Sequence, residues 1–394
     1  MLEAYALRMP ACIYAGENAI DNLAQILAQL QAKRVALFTD RGIHDCGITA
    51  PVEAEIRSAG AECVLLTELA VEPLVDEVAE TVRTFRALHA DLIVAVGGGS
   101  VMDAAKLASV LDTDDYTVRD LLEKPQRARK RVRTVMIPTT AGTGAEATPN
   151  AIVNVPEWQL KVGIVNADMI ADYVILDARN LRALPRHIAA STGLDALAHA
   201  IECYTSNKAN PFSDLVALEA LELIFHNIER ACDTDDMRAK GNMLLASFYA
   251  GIAITAAGTT AVHALSYPLG GRYHIAHGVS NAILLTPVMR FNAPFITERL
   301  ARVHDRVWPH DEMAALQEEK AKRVLDKMSQ IVTHLDIPRY LDDLGVDATQ
   351  LDTLVDAGMK VTRLLDNNIR PVRAEDARAI YQSLFKAQQN GGKA

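Results

Sequence analysis

The sequence predicts an α/β region with parallel strands over residues 1–184, followed by an all-helical region over residues 185–394. Up to Leu184, short apolar runs alternate with amphipathic segments, which is typical of parallel strands connected by helices. From Pro185 onwards this pattern gives way to long segments rich in Ala and Leu at helical spacing. The chain has 394 residues, half of them hydrophobic, so it is long enough to form two domains with substantial cores.

Apolar runs and helical spacing give the individual elements. Strands are predicted over residues 34–39, 63–66, 92–96, 134–138, 151–155 and 174–177, with the apolar run 161–165 between the last two. Helices are predicted over residues 48–58, 74–88, 100–108, 211–228, 237–256 and 314–334. Residues 390–394 are expected to form a frayed tail.

Composition and charge exclude several classes of protein. The net charge of -10 would repel nucleic acid and anionic membranes, and the basic run 127–133 has no interleaved aromatic residues, so we interpret it as a solvated loop and strand entry. The five cysteines are scattered without a Cys-x-x-Cys pair, which favours free thiols in a reducing compartment. The N-terminus lacks the features of a signal peptide, and the longest apolar run is too short to span a bilayer. We therefore expect a soluble, cytoplasmic protein.

A run of three glycines, Gly97, Gly98 and Gly99, is followed by Ser100 and stands between a predicted strand and a predicted helix. Glycine lets the backbone approach a diphosphate closely, and the N-terminus of the following helix offers unpaired N–H groups. We favour phosphate binding over a plain tight turn, although the spacing is not that of the Gly-x-Gly-x-x-Gly dinucleotide motif. On the same helix, Asp103 and Lys106 either pair locally or face the ligand.

Two other strands end in residues suited to a nucleotide. Asp40 could accept hydrogen bonds from a ribose diol and repel a 2′-phosphate, which would favour NAD over NADP; Arg41 beside it weakens this inference, and an ordinary turn residue is an equal alternative. The stretch 138–146 offers small hydroxyl and glycine positions that either line a nucleotide pocket or form a structural turn.

Four side chains form a candidate metal site. Asp195 and His199 are four residues apart, which places both on the same face of a helix, and His263 and His277 follow beside small residues. A single histidine is more often a packed core or surface residue than a ligand, but four candidate ligands together favour a metal. Three imidazoles and one carboxylate suit Fe(II), Zn(II) or another first-row divalent ion, which can polarise a carbonyl or lower the pKa of a bound alcohol.

These motifs together resemble the iron-dependent (group III) alcohol dehydrogenases, which include lactaldehyde reductase and propanediol dehydrogenase and are related to glycerol dehydrogenase and dehydroquinate synthase. The similarity extends from about Tyr14 to Leu384. It depends on the motifs at residues 39–43, 97–106, 138–146, 193–202 and 277–282.

The resemblance implies a function and a site. It implies reversible hydride transfer between NAD(H) and a small alcohol or aldehyde in a cleft between an N-terminal Rossmann-like domain and a C-terminal helical domain, an architecture like that of dehydroquinate synthase. Members usually form dimers or larger oligomers. In this chain, the implied metal ligands are Asp195, His199, His263 and His277, and the implied cofactor contacts are Asp40, Gly97, Gly98, Gly99, Ser100, Asp103, Thr139, Thr140, Thr143 and Lys161.

The chain departs from the family pattern at two places. Many members have a second histidine four residues after the one that matches His263, often given a role in proton transfer, whereas this chain has Tyr267. We expect either Tyr267 or His274 to replace it in the proton relay, or both to pack only. The Pro-Asn-Pro turn that is common in the family is absent from residues 71–74, so a contact on the cofactor side can also differ.

Several alternatives stay open at this point. The substrate could be an anionic aldehyde or oxoacid, bound through a carboxylate, phosphonate or sulfonate by Arg272, or the enzyme could be a metal-dependent lyase. A non-enzymatic nucleotide-binding or regulatory protein whose histidines only pack is the remaining class. The sequence also leaves zinc open beside iron, and NADP beside NAD.

Overall fold

A computed structural model describes residues 5–70, 73–158, 160–311 and 315–386, and the predicted tail at 390–394 lies outside them. The strands are β1 Cys12–Ala15, β2 Arg34–Phe38, β3 Glu62–Leu66, β4 Leu92–Gly97, β5 Arg133–Pro138, β6 Asn150–Val155, β7 Leu160–Val165 and β8 Tyr173–Leu176. The helices before the last strand are α1 Asn22–Leu30, α2 Arg41–Asp45, α3 Ala50–Ser58, α4 Val75–Leu88, α5 Gly99–Val110 and α6 Val118–Glu123. Those after it are α7 Arg186–Thr205, α8 Pro211–Asp233, α9 Met237–Ala257, α10 Ala261–Tyr273, α11 His277–Val307, α12 Gln317–His334, α13 Leu351–Met359, α14 Thr362–Leu365 and α15 Ala374–Gln382.

The predicted parallel sheet is present. Its strand order is β1-β8-β5-β4-β2-β3, and every neighbouring pair is parallel. The chain leaves β2 outward to β3 and then returns to place β4 on the other side of β2. This reversal creates a crevice at the carboxyl ends of β2 and β4, which is where open α/β sheets bind ligands.

The prediction of parallel strands is wrong for two of the strands, β6 and β7. β6 and β7 do not join the parallel sheet but pair with each other as an antiparallel hairpin, with Asn150 opposite Val165. A backbone hydrogen bond also joins β6 to the residues just before α4. The Asn154 N–H donates to the Pro73 carbonyl at 3.0 Å. Apolar periodicity identifies a strand but not its partner, so the hairpin could not be separated from the sheet. The short edge strand β1 was not predicted.

The sheet is buried on both faces. Alternate residues of β2 point to opposite sides, so Val35 and Leu37 join an apolar cluster with α1 and α3, while Ala36 and Phe38 join the main core. This explains the continuous apolar strands of the sequence, which are typical of a parallel sheet covered by helices on both faces.

Helices dominate the chain after β8. The predicted helix at 211–228 continues to Asp233, and that at 237–256 ends at Ala257. The helix predicted at 314–334 begins at Gln317, and Ala314 lies outside the described ranges. The main apolar core is continuous from the sheet through these helices. No single helix of the described residues is long and apolar enough to cross a membrane; α9 and α10 meet that criterion only as a pair, bent by 107° at the break between them.

A glycine contact fixes the loop after β5 against the helical region. Gly144 has a φ of +56°, and a Cβ atom there would lie 2.7 Å from the Cα of Gly251 on α9. A Cβ on Gly251 would in turn lie 2.5 Å from the Gly144 carbonyl oxygen. Because neither residue has a side chain, the loop and the helix touch backbone to backbone, which holds the loop after β5 against α9.

Candidate active site

The four predicted metal ligands come together at one point. Asp195 and His199 lie on α7, His263 is in the first turn of α10, and His277 is the first residue of α11. One ligand atom from each of them lies within 4.8 Å of the others. The first three side chains are buried, and His277 is partly exposed.

Close packing at a glycine places α11 against α7. A Cβ atom on Gly278 would lie only 2.2 Å from the carbonyl oxygen of Ser191. Glycine therefore lets the N-terminus of α11 touch the backbone of α7, one turn before Asp195. This contact positions His277 beside the other three candidate ligands.

Two of the histidine rings have a hydrogen-bond acceptor beside Nδ1. The Nδ1 of His199 lies 3.2 Å from the Gly142 carbonyl oxygen, and the Nδ1 of His263 is in close contact with the Glu202 carboxylate. A carbonyl and an ionised carboxylate only accept hydrogen bonds, so Nδ1 of each ring carries a proton, and Nε2 is the nitrogen on the side of the other candidate ligands. The two Nε2 atoms are 2.9 Å apart and face each other. Two ring nitrogens that converge beside a carboxylate fit a bound cation.

Asp195 supplies the negative charge at this point. Its Oδ1 lies 3.6 Å from the Nε2 atoms of both His263 and His277. Asn281, one turn after His277, donates from its amide Nδ2 to Asp195 Oδ1 at 2.7 Å. The same nitrogen lies 3.1 Å from the Nε2 atoms of His263 and His277, so Asn281 contacts three of the four candidate ligands.

The electrostatics of the cluster favour a cation. Burial opposes ionisation of Asp195, but the surrounding histidines outweigh it and lower the pKa of its carboxyl. Burial lowers the pKa of His199 and lowers that of His277 to about 3. Burial also acts on His263, but the Glu202 and Asp195 carboxylates outweigh it and raise the pKa of His263 to about 9. At neutral pH, His199 and His277 are therefore neutral and Asp195 is ionised, a nitrogen and oxygen donor set that suits Fe(II) or Zn(II). His263 completes the set when a metal replaces the proton on its Nε2.

The predicted cofactor residues follow adjacent strands. Asp40, the glycine run and Thr139 come directly after β2, β4 and β5, which are neighbours in the sheet. A Cβ on Gly99 would lie 2.9 Å from the side chain of Thr143, and one on Gly98 would lie 3.5 Å from that of Thr140. The glycine run and the threonine loop are thus in contact, with the N-terminus of α5 at the same edge. This edge fits a diphosphate, since the first turn of a helix has backbone N–H groups without intrahelical partners.

Asp40 lies at the carboxyl edge of the sheet and also has a structural role. Its Oδ1 accepts a hydrogen bond from the Ile43 N–H at 2.9 Å and so caps the N-terminus of α2. Arg41 forms an ion pair with Glu68, which directs its charge to that carboxylate.

One cleft of about 160 Å³ contains parts of both candidate sites. From the cofactor prediction it includes Gly99, Ser100, Asp103, Thr143 and Lys161. From the metal and catalytic predictions it includes His199, His263, His277 and Tyr267. The other residues that line it are Pro73, Ala145, Thr148, Asn150, Ile152, Asn154, Ile254 and Thr259.

Lys106 does not face this cleft but pairs locally. Its ammonium group is fully buried and donates to Asp103 Oδ1 at 3.2 Å, to Thr148 Oγ1 at 3.1 Å and to the Asn150 carbonyl at 2.7 Å. Asp103 also accepts from the Ile152 N–H at 2.9 Å. The pair therefore joins α5 to the β6–β7 hairpin, while Asp103 itself still lines the cleft.

The two predicted proton-relay residues lie in different environments. Tyr267 is buried against the cleft with its ring centroid 6.3 Å from that of His277, and burial raises the pKa of its phenol. His274 is exposed, ends α10 with a φ of +55°, and is not among the described residues that line the cleft. Arg272 is also exposed; its guanidinium lies 3.5 Å from Gln350 Oε1 and not in the cleft.

The buried carboxyl group of Glu146 predicts how the free energy of unfolding changes with pH. Its side chain is 2 % exposed, and burial raises the pKa of its carboxyl from 4.5 to about 7. The folded protein therefore holds a proton that the unfolded chain releases between pH 4.5 and 7, so the unfolding free energy falls as pH rises through this window. At ~1.4 kcal/mol per pKa unit the loss is about 3 kcal/mol.

Because glutamine is neutral at every pH, Glu146→Gln should lack this loss. We compare the unfolding free energy of the variant minus that of wild type at two pH values. This difference should be about 3 kcal/mol more favourable to the variant at pH 8 than at pH 4.5. Denaturant unfolding at the two pH values measures it. An equal difference between the two proteins at both pH values would contradict the assignment.

Two residues of the site escaped the sequence-based prediction. Glu202 follows Asp195 by seven residues and His199 by three, so it lies on the same face of α7. Asn281 follows His277 by four residues on α11. Helical spacing from a candidate ligand was the signal that could have identified both.

Family models match both regions of the chain. The model described as iron-containing alcohol dehydrogenase matches residues 10–178. The model described as the C-terminal part of the Fe-containing alcohol dehydrogenase family matches residues 189–385.

Individual relatives are similar over almost the whole chain. Long-chain-alcohol dehydrogenase 1 of Geobacillus thermodenitrificans is 33% identical, with 95% of each chain covered. Choline dehydrogenase of Bacillus subtilis is 35% identical, with 98% of this chain and 96% of the relative covered. Among solved structures, a 1,3-propanediol oxidoreductase superposes with a TM-score of 0.90 at 28% identity, covering 97% of this chain and 100% of the other.

Proposed function

The chain belongs to the iron-containing alcohol dehydrogenase family, and from that premise we propose that it transfers a hydride between NAD(H) and a small alcohol or aldehyde in the cleft described above. The observation that supports this proposal most strongly is that Gly99 and Ser100 of the glycine run share one cavity with His199, His263 and His277. A cofactor on the first group and a substrate oxygen at the second would lie within the same small volume, as hydride transfer requires.

In this proposal the metal is iron and is held by Asp195, His199, His263 and His277. Three nitrogen donors and one oxygen donor also suit zinc, but the family favours iron. When bound, the ion supplies a Lewis acid that polarises a carbonyl oxygen, and NADH supplies the hydride. The residues of this chain hold and orient the reactants, and the largely buried walls of the cleft limit access of water.

The proposed cofactor is NAD, bound along the carboxyl edge of the sheet. Its diphosphate is assigned to the glycine run, its adenosine ribose to Asp40, and its nicotinamide end to Lys161, which is buried in the cleft. Thr139, Thr140 and Thr143 are assigned to the nucleotide from the loop after β5, and Asp103 to the wall beside it.

The test of the function uses protein purified without oxygen and loaded with Fe(II). We expect it to oxidise NADH with a panel of short aldehydes and to use NADPH less well. If the protein holds metal but turns over no aldehyde of the panel, the proposed function is wrong.

Tyr267 is the proposed proton donor to the alkoxide oxygen formed during aldehyde reduction. Its raised pKa keeps the phenol protonated at neutral pH, and it is the only tyrosine among the described residues that line the cleft. We expect Tyr267→Phe to lower kcat for aldehyde reduction about 10²-fold, the lower range for general acid catalysis. Bound metal and the KM for NADH should be unchanged. A variant with the kcat of wild type would assign the proton to water or to the cofactor ribose instead.

An anionic aldehyde is the second candidate substrate. Lys161 places a cationic side chain in the cleft, whereas Arg272, the residue first considered for this role, is on the surface. The related choline dehydrogenase is named for a cationic substrate, which a cleft containing Lys161 would disfavour. Comparing kcat/KM for choline, a neutral alcohol and a carboxylate-bearing alcohol of the same size decides between these classes.

A cytoplasmic homodimer completes the proposal. Each of the cysteines is free, which fits a reducing compartment. Phe212, Leu215 and Phe295 are large apolar side chains exposed on α8 and α11, and they are candidates for a surface between subunits. Light scattering of the purified protein gives the mass that decides the oligomeric state.

A further inference from the structure

Glu202 has no role in the function proposed so far, although it is fully buried directly behind the candidate metal site. We propose that Glu202 is a positioning residue: it fixes the His263 ring so that the Nε2 lone pair points at the metal. This inference rests on the proposed function, because it assumes that His263 binds the ion.

The two carboxylate oxygens of Glu202 have separate partners. Oε1 accepts hydrogen bonds from the start of α10: the Thr260 N–H at 3.0 Å, the Thr260 hydroxyl at 2.7 Å and the Val262 N–H at 2.8 Å. Oε2 faces His263 Nδ1. Several donors and the positive end of α10 favour an ionised carboxylate. One oxygen therefore holds the helix, and the other holds the ring.

The contact at Oε2 determines the tautomer of His263. An ionised carboxylate oxygen can only accept, so the neutral ring keeps its proton on Nδ1, and Nε2 is the nitrogen that is left to bind the metal. Nε2 is the nitrogen that faces His199 at 2.9 Å and Asp195 at 3.6 Å, which is the ligand side of the ring. A carboxylate behind a metal-binding histidine fixes both the orientation and the basicity of the ring.

Glu202→Gln tests this with almost no change in shape. The glutamine carbonyl oxygen would stay with the donors of Thr260 and Val262, which places its amide NH₂ against His263 Nδ1. Because an NH₂ group donates, Nδ1 must accept and the ring proton moves to Nε2. His263 would keep its position and lose its function as a ligand.

Thr260→Val is the matched control, since it removes the hydroxyl bonded to Oε1 and leaves Oε2 on His263. Titration with Co(II), followed by its visible absorption, measures affinity and the number of ligands. We expect Glu202→Gln to weaken Co(II) binding 10–100-fold, roughly the range for outer-shell partners of metal ligands, and to change the spectrum. Thr260→Val should lower thermal stability and leave both readouts as in wild type.

The outcomes separate the two levels of the proposal. Wild-type affinity and spectrum in Glu202→Gln would overturn the positioning role and leave Glu202 as a cap of α10. Wild-type protein that binds no metal would instead overturn the proposed function. If Glu202→Gln does not fold, ring ¹⁵N shifts of His263 in zinc-loaded wild type decide: a proton on Nδ1 supports the inference, and a proton on Nε2 overturns it.

Discussion

Replacing His277 with Ala should lower kcat/KM for aldehyde reduction at least about 10³-fold, equivalent to ~4 kcal/mol of transition-state stabilisation. The variant loses one of three imidazoles in the candidate site, and the ion loses a ligand that fixes its position in the cleft. His277 is the most informative ligand to remove because its side chain is 32% exposed, so truncation leaves no buried cavity and the fold should persist. Steady-state kinetics and metal content are measured on the same preparation.

His187→Ala is the control for this variant. His187 is an exposed residue of α7, the same helix that holds Asp195 and His199. The His187→Ala variant should retain the activity and the metal content of wild type. Full activity in His277→Ala with metal bound would show that the fourth ligand does not take part in the reaction.

Gly278→Ala should also lower the rate of aldehyde reduction, although it changes none of the candidate metal ligands. The added Cβ would lie 2.2 Å from the Ser191 carbonyl oxygen, a backbone atom that cannot move aside cheaply. The N-terminus of α11 must then shift away from α7 by about 1 Å, and a displacement of this size can cost about 10²-fold in rate. We also expect about 1–3 kcal/mol of destabilisation from overpacking, measured by denaturant unfolding.

Gly241→Ala provides the matched comparison on α9. A Cβ there would lie 3.4 Å from the Cβ of Ala178, which is an ordinary contact. Alanine is favoured over glycine inside a helix by ~1 kcal/mol, so this variant should be as stable as wild type or more stable, with full activity. Equal behaviour of the two variants would show that the approach of α11 to α7 is not what positions His277.

Local patterns were enough to predict most of the fold. The parallel sheet, the switch to helices after Leu184 and the helical face shared by Asp195 and His199 all follow from spacing within about ten residues. The β6–β7 hairpin did not, because the pairing of Asn150 with Val165 is a choice between partners that apolar periodicity does not encode.

Residues of the candidate site were missed for the same reason, because local patterns do not encode contacts between distant parts of the chain. The bonds from Glu202 to the start of α10 and from Asn281 to Asp195 join residues far apart in sequence, and neither residue type predicts such a contact alone. Contacts at Gly278 and Gly144 likewise depend on how two backbones meet. His274 was considered because it is near Tyr267 in sequence, and Arg272 because it is near His277, but both side chains are exposed.

The most direct measurement is a titration of the stripped protein with Fe(II) in the absence of oxygen, with NADH oxidation by a short aldehyde as the readout. Convergence of Asp195, His199, His263 and His277 on one point of the cleft predicts that activity rises in proportion to added Fe(II) and reaches a plateau at one ion per chain. Activity that survives complete removal of metal, or that stays absent after one equivalent has bound, would contradict the claim that the reaction requires a metal at this site.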